Sequence, residues 1–381
     1  MYGKRITLFR LFGFEVRVDI SWLVLAVLVT WSLADGLFPQ YYQGLARATY
    51  WEMGIAGAIL FFFSILFHEF CHSLVARRFG LPMRGITLFI FGGVAEMADE
   101  PPSPWAEFLM AVAGPLSSVI LGAAFYGAAT LVSESVNTVA IQGVLSYLAS
   151  INWILAAFNL VPAFPLDGGR VLRAILWHWK KNLRKATRIA SRIGSGFGLF
   201  LMLMGMVNFL FGRLVGGLWQ FMIGMFLRSA ADMSYRQVVF HKTLEGETVK
   251  RFMNPHPVTA PPSISIRDLV ENYVYRYHYK MFPVSDERGL LGCITTRKVR
   301  EIPREDWSRR TVAEAIDQCS VENTISPSAG AMQALAIMGR TGNSRLLVAE
   351  GGQLVGVISL KDIMGYLSTK MELGEGNDAG H

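Results

Sequence analysis

Residues 54–76, GIAGAILFFFSILFHEFCHSLVA, carry the pattern that decides the fold. The stretch is nearly all apolar up to His68-Glu69-Phe70-Cys71-His72, and a run of about 20 such residues is long enough to cross a bilayer. On a helix, the spacing His-Glu-x-x-His sets two imidazoles at i and i+4, on one face and one turn apart. That arrangement suits two nitrogen ligands of a tetrahedral Zn²⁺. Glu69, between them, can reach a water on the metal and take its proton. A lone histidine on an apolar helix is usually a hydrogen-bonded core residue. Two histidines and a glutamate within about one turn need partners for their desolvation, and a metal supplies them. Ionisable groups at membrane depth are costly and point to function. The stretch predicts a zinc protease that works within the bilayer.

The rest of the composition agrees. At 381 residues the chain is too long for one typical domain. Hydrophobic residues make up 52% and charged residues 17%, which fits a membrane protein rather than a large soluble enzyme. Residues 1–230 hold the apolar runs, and residues 240–381 read as a soluble domain. The net charge of +7 does not indicate nucleic acid. The basic residues cluster at the ends of apolar segments, where they fix membrane orientation. Cys71, Cys293 and Cys319 form no disulfide framework, and the two in the soluble part suit a reducing, cytosolic setting. Met1 to Asp19 alternates charged and apolar residues and lacks the apolar core of a cleavable signal peptide.

Six transmembrane helices are expected, over Ile20–Leu37, Gly54–Ala76, Glu107–Val132, Ile141–Val161, Ile193–Phe211 and Leu214–Leu227. Lys4, Arg5, Arg10 and Arg17 precede the first, Arg77 and Arg78 follow the second, and a basic stretch from Arg170 to Arg192 follows the fourth. A multi-pass protein of the cell membrane with both termini in the cytosol satisfies the positive-inside rule throughout. Between spans two and three, Met83–Met97 reads as two short strands around Gly92-Gly93. Such a hairpin must sit at the interface or be buried in protein. It is either a simple loop hairpin or an edge whose Gly92, Gly93 and Val94 pair with an extended substrate.

Two histidines leave zinc short of a ligand, since catalytic zinc usually has three from protein. A candidate third lies in Asn159-Leu-Val-Pro162-Ala-Phe-Pro165-Leu-Asp167-Gly168-Gly169-Arg170, where two prolines break the helix and glycines let the chain turn. Asp167 is the only acidic residue between Glu134 and Asp232. Its cation is either a metal or Arg170. Asn159 can hold substrate backbone or an oxyanion through its amide, or make an interhelical hydrogen bond.

With both motifs in view, the chain resembles the site-2 protease family of intramembrane metalloproteases. His68-Glu69-x-x-His72 and Asn159-x-x-Pro162-x-x-Pro165-Leu166-Asp167-Gly168-Gly169-Arg170 carry the resemblance. Leu88–Gly93, Ala113-Gly114-Pro115-Leu116 and Leu11 to Trp22 look familial too. The resemblance covers roughly residues 8–230 and is highly specific, because two distant motifs agree. It implies one zinc bound by His68, His72 and Asp167, with Glu69 as general base and a substrate that is a transmembrane helix of another protein. Spacing alone gives only His68, His72 and Glu69.

The soluble region repeats itself at an offset of 64 to 65 residues. Phe282-Pro283-Val284 aligns with Leu346-Leu347-Val348, and Gly292-Cys293-Ile294-Thr295 with Gly356-Val357-Ile358-Ser359. Each unit reads strand, helix, strand, strand, helix, and two units would bury their apolar faces against each other. This repeat resembles a pair of cystathionine-β-synthase (CBS) domains. That resemblance implies adenine-nucleotide binding, by ATP or AMP, through Ser359 and Asp362 in the second repeat. In the first, Thr295 stands in place but Lys298 replaces the expected aspartate. The other reading is a homodimerising module without ligand. The expected fold is a polytopic α-helical membrane protein with a small interfacial β-hairpin, plus a cytosolic α/β CBS pair. The expected divisions are 1–230 membrane domain, 231–248 linker, 249–306 and 307–370 the repeats, and 371–381 a tail. A CBS-regulated transporter would also show apolar spans before such a pair, but has no use for His-Glu-x-x-His with a distant aspartate.

Overall fold

A computed structural model describes residues 5–11, 13–81, 83–89, 92–97, 100–132, 138–287 and 289–373. The chain forms two compact units, Met1–Arg236 and Gln237–His381.

In the first unit, strands β1 (Arg5–Leu11) and β2 (Phe14–Asp19) lead into α1 (Ile20–Trp31), which runs through a π-helical turn at Ser32–Leu37 into α2 (Phe38–Tyr41). Then come α3 (Arg47–Arg78), β3 (Met83–Phe89), β4 (Gly92–Met97), α4 (Pro104–Leu131), α5 (Val139–Asn159), α6 (Asp167–Lys180), α7 (Leu183–Leu210) and α8 (Leu214–Leu244), whose last residues, from Gln237, belong to the second unit. Among the described residues, six helices are long and apolar enough to cross a membrane: Ile20–Tyr41 and α3, α4, α5, α7 and α8. All six expected spans are there, but several run past their apolar windows. α3 carries basic residues at both ends, Arg47 and then Arg77 and Arg78, whose long side chains can keep their charge in water while the stem packs. Caps fix three starts. Asp19 accepts from the Ser21 amide, Ser103 from Ala106 ahead of Pro104, and Asn182 from Lys185.

Two differences from expectation matter. The basic stretch after span four holds a helix of its own, α6, which buries Gly168, Gly169, Arg173 and Ala174 and turns its other side outward. Residues 231–248, expected as a linker, are helical as far as Leu244, and Leu244 is buried in the core of the second unit. Charge made both stretches look like loops, whereas helix needs only one buried face.

The expected hairpin exists as β3 and β4, but it is half of a four-stranded sheet ordered β1-β2-β3-β4. β2 runs parallel to β3, pairing Val16 with Ile86 and Val18 with Leu88. Phe14, Val16, Val18, Ile86 and Leu88 are buried. Among the described residues β4 has β3 alone as a neighbour, so its other edge is unpaired within the sheet.

α7 and α8 meet through glycines. A Cβ on Gly205 would lie 2.6 Å from the Phe221 amide nitrogen, and one on Gly217 would lie 2.5 Å from that of Phe209. Nearer the other end, a Cβ on Gly198 would reach 2.7 Å from the Gly224 carbonyl oxygen. Small residues let membrane helices approach backbone to backbone. The Asn208 amide donates to the Gln220 side-chain oxygen at 2.8 Å.

The second unit is built from the repeat. Short helices α9 (Ile266–Leu269) and α10 (Tyr275–Tyr277) precede β5 (Met281–Asp286), β6 (Gly289–Thr295), α11 (Thr296–Glu301) and β7 (Asp317–Gln318). β8 (Thr324–Ile325), α12 (Ala331–Thr341), β9 (Arg345–Glu350), β10 (Gln353–Ser359) and α13 (Leu360–Glu372) follow. The halves match in detail: Ala260 pairs parallel to Val284 as Ile325 pairs parallel to Val348. In the first half that leading strand shrinks to a single bridge. Met281, Cys293 and Leu347 share a buried cluster with Leu290, Leu354 and Val357, so the repeats bury apolar faces against each other as expected.

Candidate metal centre

α3 projects His68 and His72 from one face, and both are buried. α5 ends at Asn159, the chain turns through the two prolines, and α6 begins at Asp167. The turn is held tight. A Cβ on Gly168 would lie 2.2 Å from the Leu160 carbonyl oxygen, and one on Gly169 would lie 2.3 Å from the Phe164 nitrogen. Only glycine fits either position, which is why the aspartate is followed by two of them.

The result is a triangle of donor atoms. Asp167 Oδ2 lies 3.1 Å from His68 Nε2 and 3.2 Å from His72 Nε2, and the two Nε2 atoms are 3.1 Å apart. The outer ring nitrogens are held by α4. His72 Nδ1 donates to the Met110 carbonyl at 2.6 Å, and His68 Nδ1 lies 2.8 Å from Ser118 Oγ. A carbonyl only accepts, so Nδ1 of His72 carries the proton and, in the neutral ring, Nε2 presents a lone pair inward. Electron-rich atoms so close together need a proton or a metal cation between them. Tetrahedral zinc with bonds of about 2.0–2.1 Å sets its donors about 3.3 Å apart, so His68, His72 and Asp167 fit that ion. These three are the group among the described residues whose ligand atoms could hold a metal.

Gly114 faces this triangle. A Cβ there would fall 2.2 Å from His72 Nε2 and 2.6 Å from His68 Nε2. Sequence reading marked Gly114 as familial but gave it no role, and it missed Met110 and Ser118 altogether. Nothing in their spacing announces which α4 residues face the histidines.

Other expected residues fall out differently. Asp167 makes no ion pair with Arg170 among the described residues, because its carboxylate turns to the histidines. Arg173, one turn further along α6, is the buried arginine. It pairs with Glu107 of α4 at 2.5 Å and lies over the Phe164 ring. Glu69 is half-buried beside the triangle, and no hydrogen bond to its carboxylate occurs among the described residues. Asn159 is half-buried at the end of α5 and makes no hydrogen bond to the cluster among the described residues. The interhelical bond considered for it is made instead by Asn152, fully buried, whose amide donates to Ser64 Oγ of α3 at 3.1 Å. Gly92, Gly93 and Val94 lie in edge strand β4, and β4 runs beside α3.

In the second unit, Ser359 and Asp362 bond each other at the start of α13. The Ser359 hydroxyl donates to Asp362 Oδ2 at 2.5 Å, and the Asp362 amide donates back to Ser359 Oγ at 3.3 Å. This is a capping box. Thr295 caps α11 by accepting from the Lys298 amide at 3.2 Å.

Comparison with known proteins agrees with this geometry. Peptidase family M50 matches residues 56–140 and 127–204, and the CBS domain matches 249–305 and 320–369. Rip3 of Mycobacterium tuberculosis is 35% identical over 363 residues, which cover 94% of this chain and 91% of Rip3. The chain belongs to peptidase family M50. Zinc metalloprotease MJ0392 of Methanocaldococcus jannaschii is 30% identical over 371 residues, 97% of this M50 peptidase and 98% of the relative. The solved site-2 protease from Methanocaldococcus jannaschii is 31% identical and covers 60% of this chain and 94% of that one, with a TM-score of 0.42. This M50 peptidase is thus a multi-pass zinc metalloprotease of the site-2 protease family, with a C-terminal CBS pair.

Proposed function

We propose that the enzyme cleaves transmembrane segments of other membrane proteins, at a zinc held by His68, His72 and Asp167. The carrying observation is the convergence of two imidazole nitrogens and one carboxylate oxygen within 3.2 Å, with both histidines on a helix long and apolar enough to span a bilayer. In such a donor set zinc supplies Lewis acidity toward a carbonyl and lowers the pKa of water to about 7. Glu69 takes the proton of the attacking water and returns it to the leaving amine. The Asn159 amide, where α5 breaks, donates to the substrate backbone. A helical substrate hides its carbonyls in hydrogen bonds and must unwind locally. The open edge of β4, at Gly92, Gly93 and Val94, offsets that cost by pairing with the unwound strand.

The same reading puts both termini in the cytosol, where the basic residues cluster. The CBS pair is the proposed homodimer contact and binds an adenine nucleotide at Ser359 and Asp362, which must first give up their bonds to each other. A nucleotide alters proteolysis only if it binds two arrangements of the enzyme unequally.

The test is cleavage of a single-span substrate by the reconstituted enzyme, with and without ATP or AMP. Glu69→Gln should retain zinc and lose cleavage. Asp362→Ala should cleave normally and lose any nucleotide effect. Substantial cleavage by zinc-loaded Glu69→Gln would overturn the assignment of the base.

A further inference from the structure

α7 and α8 pack tightly through their glycines. Beside that contact lies a cavity of about 390 Å³, lined by Arg188, Ser191, Arg192, Ser195 and Leu199 of α7 and by Arg228, Asp232 and Tyr235 of α8. The residues on each helix recur at three and four, so one face of each helix lines the space.

Depth follows from the sequence. No charged residue lies between Arg192 and Arg213, or between Arg213 and Arg228. α7 and α8 are joined by the short turn at 211–213, so both uncharged runs end at the same side of the bilayer. The cavity sits where they end, at the level of lipid headgroups. The face of α7 leading away from it into the apolar run is lipid-like, with Leu199, Phe200 and Leu203 exposed.

Span orientation alone accounts for arginines at this level. It does not account for three exposed arginines gathering on one cavity. Nor does it account for Ser191. Ser191 belongs to the cavity lining, is only 4% exposed, and its buried hydroxyl has no hydrogen-bond partner among the described residues. A buried hydroxyl without a partner is costly. An oxygen-rich anion in the cavity would accept from it and from the guanidinium groups together. Three arginines against one aspartate leave the rim positive, and the apolar face beside it suits an acyl chain.

We propose that this cavity binds the phosphate group of an anionic phospholipid, held by Arg188, Arg192 and Arg228 with the Ser191 hydroxyl donating to a phosphate oxygen. Basic pockets between membrane helices at this depth suit such headgroups. The inference does not depend on the proposed proteolytic mechanism.

The test is retention of lipid by the purified full-length enzyme, followed by native mass spectrometry. Phosphatidylglycerol and phosphatidylcholine are offered in equal amounts, and zinc content reports on folding. Phosphatidylglycerol should be retained about tenfold over phosphatidylcholine. Arg192→Gln with Arg228→Gln should abolish the preference, and Ser191→Ala should weaken it, with zinc unchanged. Lys180→Gln with Lys181→Gln, which removes nearby charge outside the cavity, should leave the preference intact. Equal retention of both lipids, or equal loss in the lysine variant, would overturn the site. Millimolar inorganic phosphate is the last arm. If it raises the melting temperature of delipidated enzyme through the same arginines, with no preference between lipids, the ligand comes from water and the lipid assignment is wrong.

Discussion

Gly114 has no chemistry of its own, yet the metal centre depends on it. With a Cβ 2.2 Å from His72 Nε2, Gly114→Ala must displace an imidazole or the helix. Its zinc content should fall well below that of the wild type when measured by metal analysis, with all three ligands present. Ser118→Ala removes only the partner of His68 Nδ1 and should weaken zinc binding about tenfold. Equal zinc affinity in Gly114→Ala and wild type would show that α4 does not shape the site. His68, Glu69 and His72 were legible because a single helical turn relates them. Asp167 was legible because it stands alone among uncharged and basic residues. Gly114, Met110 and Ser118 were not, because their roles arise from packing between helices distant in sequence. Asn152, whose amide bonds Ser64, was missed for the same reason, and an interhelical bond was considered only for Asn159.

The elements show the same division. Hydropathy revealed the six spans but not α6, whose charged residues disguise a helix with one buried face. The four-stranded sheet escaped for a related reason. Its first hairpin was not read as strands, and parallel pairing of β2 with β3 joins segments more than sixty residues apart. α6 is locked to α4 by Arg173 and Glu107, which are 3% and 2% exposed. Arg173→Met leaves a carboxylate buried without its partner and should cost about 3–5 kcal/mol. Adding Glu107→Leu should restore most of the lost melting temperature. If the double variant melts no higher than the single one, the ion pair is not what holds α6. In the second unit, Glu247 accepts from the Tyr366 hydroxyl at 3.0 Å and from Arg251 at 2.8 Å, with Lys370 at 3.5 Å. Burial works against its charge, but these partners outweigh it and hold the carboxyl below its ordinary 4.5. The unfolded chain therefore binds the proton more readily. The stabilisation is fully present above about pH 4.5 and is lost as pH falls through the lower folded value. Melting of wild type against Glu247→Gln should differ at pH 6 and converge at acid pH. A difference that grows on acidification would reverse the sign.

At the scale of the molecule, two units of unlike composition share one chain. The apolar unit buries ionisable groups in pairs: His68 and His72 with Asp167, and Arg173 with Glu107. The second unit folds around its own repeat, with equivalent strand pairings in each half. The central claim is that His68, His72 and Asp167, from two distant segments, hold one zinc. Zinc X-ray absorption of the purified enzyme tests it most directly. The expected signal is about one zinc per chain, with nitrogen and oxygen neighbours at about 2.0–2.2 Å and imidazole scattering beyond them. It should lose its oxygen contribution, or the zinc itself, in Asp167→Ala. A sulfur neighbour at about 2.3 Å, which would bring Cys71 into the site, or a spectrum unchanged in Asp167→Ala, would contradict the account.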